Sequence, residues 1–71
     1  MTIKRIVGYR KMLGLNQKEM AEKLNISVQS YSKKELGKTA FKDTEKVLIK
    51  KMLEPIFPQI TIDEIFYHDF F

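Results

Sequence analysis

Seventy-one residues, 44% of them hydrophobic, are enough for one compact core and too few for a second, ligand-sensing domain. With no cysteine, disulfides and thiolate zinc sites are excluded, so helix packing or self-association must supplement the small interior. No apolar run approaches the roughly 20 residues of a bilayer span, and the polar start Met1-Thr2-Ile3-Lys4-Arg5 lacks an apolar secretion core, so a soluble, cytoplasmic protein with no membrane partner is expected.

The net charge of +4 is unevenly spread. Residues 1–42 carry ten Lys/Arg against Glu19, Glu22 and Glu35, for +7, whereas residues 43–71 come to −3. Such polarity suits a first part that faces a polyanion and a last part with another task, although a lysine-rich solvated surface would give the same count.

Ile3, Ile6, Val7, Arg10 and Leu13 recur at helical spacing and predict a first helix over about 3–13, stopped by Gly14. Asn16 is a good N-cap, Glu19 completes a capping box, and Met20, Ala21 and Leu24 form the buried stripe of a second helix over 17–24. Asn25 tolerates the left-handed conformation that ends a helix abruptly, and Ser27 caps a third helix over 28–36, stopped by Gly37. Lys38 to Lys42 reads as a loop. A fourth helix over 43–54 begins at Asp43 or Thr44, with Val47, Leu48, Ile49, Met52 and Leu53 on or near its apolar face. Pro55 and Pro58 allow at most one further turn through Ile56. Thr61 caps a last helix over 62–66, and Tyr67 to Phe71 form an aromatic tail. Five helices, no convincing strand and no interdomain linker make an all-α single domain over 1–71.

Residues 17–36 hold two short helices joined by a three-residue turn, the layout of a DNA-reading helix-turn-helix. Ala21 falls where the two helices cross most closely and must be small. Met20, Leu24, Ile26 and Tyr31 fill the wedge against the first helix and set the angle at which the third helix projects. A helix held clear of the body can enter the major groove, about 12 Å wide.

The run Leu13-Gly14-Leu15-Asn16-Gln17-Lys18-Glu19-Met20-Ala21-Glu22-Lys23-Leu24, then Ile26-Ser27, then Glu35 with Gly37-Lys38, resembles the phage repressor and Cro helix-turn-helix family, also called the XRE family. Gln29-Ser30 followed by Glu35, Gly37, Lys38 and Thr39 is similar to the 434-type phage repressors in particular, and Thr61 to Phe66 matches the last helix common in the family. The resemblance spans about residues 3–67. It implies a compact five-helix, lambda-repressor-like DNA-binding domain that regulates transcription; the short, cysteine-free composition adds the expectation of no cofactor, no metal and no small-molecule effector.

The resemblance also implies roles for single residues. Gln17, at the start of the second helix, would bond a DNA phosphate through its amide. Val28, Gln29, Ser32 and Lys33 would read bases: Gln29 suits bidentate bonding to adenine, Val28 a thymine methyl, and Lys33 either guanine or a phosphate. Lys38, Thr39 and Lys42, with the backbone amides of their loop, look like phosphate clamps. Arg10 and Glu35 stand at positions that often pair in related proteins, which would hold the third helix in register and leave Arg10 near the DNA backbone; two independent surface charges are the alternative. Two residues depart from the pattern. Asn25 replaces the usual turn Gly at little cost. Lys34 replaces an apolar residue that buries the back of the third helix, so either its stem snorkels along the core edge or the helix is shifted and Tyr31 and Leu36 carry the packing.

An enzyme is disfavoured, since His68 is the sole histidine and no nucleophile–base pair or metal constellation emerges. The aromatic residues sit mostly at core spacing without the interleaved cations of a single-strand binder. The rival class is a protein-interaction adaptor or antitoxin-type module of the same shape. One recognition helix touches few base pairs, so a homodimer placing two helices about 34 Å apart on a palindromic operator is expected. Its candidate interface is the acidic, apolar C-terminal part: Ile56, Phe57, Ile60, Tyr67, Phe70 and Phe71, for which closing the monomer core is the alternative. That alternative is preferred for Ile65 and Phe66, and Phe70 and Phe71 form either a subunit contact or a disordered tail.

Overall fold

A computed structural model describes residues 5–66, and among these five helices follow one another without a strand: α1 Arg5–Met12, α2 Gln17–Leu24, α3 Val28–Glu35, α4 Asp43–Leu53 and α5 Ile62–Phe66. The class is all-α, as the periodicity predicts. One core serves them all. Ile6 of α1, Met20, Ala21 and Leu24 of α2, Tyr31 of α3, Ile49 and Leu53 of α4, Ile60, and Ile65 of α5 are buried together.

The helix ends follow from local chemistry. Asn16 Oδ1 accepts the Glu19 amide at 2.7 Å while Glu19 Oε1 accepts the Asn16 amide at 2.9 Å, so the capping box at the start of α2 is complete. Asn25 ends α2 with φ 60° and ψ 43°, and Ile26 N–H reaches back to Ala21 O at 3.0 Å. Asn pays a smaller steric penalty in this left-handed region than other non-glycine residues, which allows a three-residue corner. Ser27 Oγ then accepts the Ser30 amide at 3.1 Å and starts α3. Thr61 and Glu64 repeat the reciprocal capping at α5, with the Glu64 amide on Thr61 Oγ1 at 3.2 Å and the Thr61 amide on Glu64 Oε1 at 3.1 Å.

Three expectations need correction. α4 buries Glu45, Ile49 and Leu53, spaced four residues apart on one face, so Val47 and Leu48 lie on its outer side and are exposed. The apolar run 47–49 alone does not specify a face, and the glutamate lies on the inward one. Leu36, a candidate for core packing, is also exposed. Ile60, expected at a subunit surface, is 6% exposed within the core, where the bond from its N–H to Phe57 O at 3.0 Å closes the turn before α5. Phe57 is half-buried, its ring edge-on to Tyr9 at 6.0 Å, whereas Ile56 is 48% exposed. Tyr67, Phe70 and Phe71 lie outside the described residues.

Candidate nucleic-acid interface

α3 divides into two faces. Tyr31, Lys34 and Glu35 point into the protein and are buried. Val28, Gln29 and Lys33 are exposed, and Ser32 is half-buried beside them. Positions 28 and 32, and 29 and 33, are one helical turn apart, so the four proposed base-reading side chains share one side.

The inward face is fixed by Glu35, whose carboxylate receives four hydrogen bonds from three helices. Arg10 Nε of α1 and the Tyr31 hydroxyl donate to Oε2, each at 2.7 Å. Gln17 Nε2 of α2 donates to Oε1 at 2.8 Å and Arg10 Nη2 to the same oxygen at 3.3 Å. A carboxylate offers about four acceptor sites, so this buried charge is fully satisfied. Burial alone would raise the Glu35 pKa, but the bonds from Arg10, Tyr31 and Gln17 outweigh it and hold the carboxyl below its usual range. The bond to Glu35 likewise raises Arg10, against the opposing effect of burial. Burial, reinforced by Glu35, drives the Tyr31 hydroxyl far above its usual range, so it remains a donor.

This arrangement redefines two of the expected phosphate ligands. Arg10 is buried, with three N–H groups committed to Glu35 and, through Nη1, to Leu15 O at 3.0 Å. Of the two roles expected of it, pairing with Glu35 is the one seen, and the alternative of independent surface charges does not hold. Gln17 is half-buried and spends one amide N–H on Glu35, which leaves the other for an external acceptor.

Lys34 is accommodated by neither route expected of it. Its ammonium is buried and bonded to Glu45 Oε1 of α4 at 2.5 Å, with 9% and 4% of the two residues exposed. The third helix keeps its expected register from Ser27. Burial opposes the Glu45 charge, yet the Lys34 bond and the Lys42 amide at 2.8 Å hold its carboxyl below the usual range. The pair was missed because periodicity reports faces, not partners across a loop. A lysine at a core-facing position, followed by a glutamate in the first turn of the next helix, was the available signal.

Beyond α3, Gly37 adopts φ 83° and the chain turns into a loop on which Lys38, Thr39 and Lys42 are exposed. The backbone amides expected to face phosphates are largely used internally. Gly37 N–H bonds Lys34 O at 3.1 Å, and Lys38 and Thr39 N–H bond Lys33 O at 2.9 and 3.4 Å. They close the exposed carbonyl end of α3, so Lys38 and Thr39 face solvent through their side chains rather than their amides.

A family model described as helix-turn-helix matches residues 8–45, more than half of the chain. The chain therefore belongs to the helix-turn-helix family of the XRE and Cro type, a family of DNA-binding regulators. No curated protein and no solved structure shows a significant match to it. Among the described residues no helix is long and apolar enough to cross a membrane.

Proposed function

We propose that this chain is a single-domain, sequence-specific regulator of transcription that grips duplex DNA through α3 and the loop behind it, in the manner of 434-type phage repressors. The observation that carries this reading is the sorting of polar groups. Arg10, Lys34, Glu35 and Glu45 are paired inside the protein, while Val28, Gln29, Lys33, Lys38, Thr39 and Lys42 stand exposed from one helix and its adjoining loop. Gln29 and Val28 would read base edges, with Ser32 and Lys33 beside them. Lys38, Thr39 and Lys42, with the remaining Gln17 N–H, would bind phosphates and contribute affinity without sequence information.

A homodimer on a palindromic site follows from the small footprint of one helix. Exposed Ile56 with half-buried Phe57, on the rim of a concavity also lined by Tyr9, Pro58, Gln59 and Glu64, is the described part of its candidate contact.

Binding to a selected duplex and to random duplexes, followed across salt, tests the reading. Affinity is expected to fall with a log–log slope near −0.9 for each neutralised phosphate. Gln29→Ala should cost about 1–3 kcal/mol on the selected site and relax base preference there, and Lys38→Ala should weaken every duplex alike and lower the slope by about 1. Equal losses on all sequences for both variants would overturn the division of roles. Salt-independent binding to a protein partner, with none to DNA, would favour an adaptor.

A further inference from the structure

We propose that Glu45 is a positioning residue for DNA binding: through Lys34 and the Lys42 amide it fixes the cationic loop of residues 37–42 against the recognition helix. This rests on the DNA-binding reading above. One atom carries the link, because Glu45 Oε1 accepts from Lys34 Nζ at 2.5 Å and from the Lys42 N–H at 2.8 Å. The near end of the loop is tied to the same turn of α3 through Lys33 O and Lys34 O. Both ends of the loop that displays Lys38, Thr39 and Lys42 are thus referenced to residues 33 and 34. Phe41, edge-on to Tyr31 at 6.1 Å and tilted on Phe66 at 5.2 Å, anchors the loop by packing. The Lys42 amide is the one main-chain group of the far end that Glu45 orients.

An apolar contact between α3 and α4 would fill the same space, and a buried ion pair is often no more stabilising than well-packed hydrophobic residues. What an apolar pair cannot do is accept the Lys42 N–H. Stability and positioning are therefore separable in one variant, Lys34→Leu with Glu45→Leu, which removes one charge of each sign and leaves the net charge at +4.

The experiment compares this double variant with the wild type by fluorescence anisotropy on a random-sequence duplex and on a selected site, alongside thermal unfolding. The expected result is a Tm equal to or above that of the wild type and affinity lower by about fivefold on both duplexes at roughly 0.15 M salt, with a salt slope shallower by about 1, the signature of one lost phosphate contact. A loss below about threefold with the fold intact would overturn the proposal and leave the DNA reading standing, as would a changed base preference, which would place the effect on α3. Failure of the wild type to bind either duplex would remove both. Hydrogen exchange on the wild type reads the same link without any variant: a Lys42 amide protected like those inside α4 supports it, and exchange at an open-loop rate overturns it.

Discussion

The Tyr31 hydroxyl donates to Glu35 Oε2 at 2.7 Å, one turn along the same helix, and the oxygen it reaches is the one that also holds Arg10 of α1. An intrahelical bond and an interhelical ion pair thus share an acceptor. Tyr31→Phe removes one of four donors and keeps the ring; it is expected to lower stability by about 1.5–3 kcal/mol, as for other bonds to buried charges. Glu35→Ala strands the Arg10 guanidinium and should cost about 3–5 kcal/mol, a large share of the roughly 5–15 available to a small domain. Urea titrations followed by circular dichroism measure both. A Glu35→Ala loss no larger than that of Tyr31→Phe would contradict the central place given to the carboxylate.

Acid should unfold the protein through two carboxylates. The Glu35 and Glu45 pKa values are lowered in the native state, so their stabilisation is fully present above the ordinary glutamate range. It declines as the pH falls below that range, where the unfolded chain takes up protons first, and is gone once the native carboxylates are themselves protonated. The urea midpoint is expected to drop below about pH 4–5 and, for these groups, to stay level from pH 6 to 8. Carrying both Lys34→Leu and Glu45→Leu should make the acid limb shallower. An unchanged limb would show that Glu45 does not contribute.

Asn25 holds φ 60° at the corner between α2 and α3. Replacing it with alanine should cost about 1 kcal/mol in backbone strain, while glycine should change stability by less than about 0.5 kcal/mol. Thermal unfolding of the two variants checks the order, and equal losses would mean that the conformation at the corner is not what matters there.

If Ile56 lies at a subunit contact, Ile56→Glu should leave the circular dichroism spectrum and Tm within error of the wild type and abolish concentration-dependent sedimentation. A wild type that sediments as a monomer at every concentration, on DNA and off it, would remove the homodimer.

Local signals carried most of what could be read before the structure. The Asn16/Glu19 box, the left-handed Asn25, the Ser27 cap and the Thr61 start of α5 each depend on residues within three or four positions, and each was legible. The Arg10–Glu35 pair was expected from family resemblance rather than from spacing. Gln17 bonding Glu35, Lys34 bonding Glu45 and the depth of Ile60 were not legible, because each depends on how separate elements dock. The outer placement of Val47 and Leu48 was missed for a related reason: the residue that marks the inward face of α4, Glu45, is polar because Lys34 and the Lys42 amide both bond it there.

The eight residues of α3 separate two kinds of constraint by helical angle. Tyr31, Lys34 and Glu35 answer to neighbours inside the protein, whereas Val28, Gln29 and Lys33 turn exposed side chains outward and lie outside the core. On the proposed DNA-binding reading, new sequence tastes could be grafted onto that outer side by exchanging three side chains, with the melting temperature scarcely moved. A scaffold built this way would let a target site drift and its reader follow, without passing through an unstable ancestor.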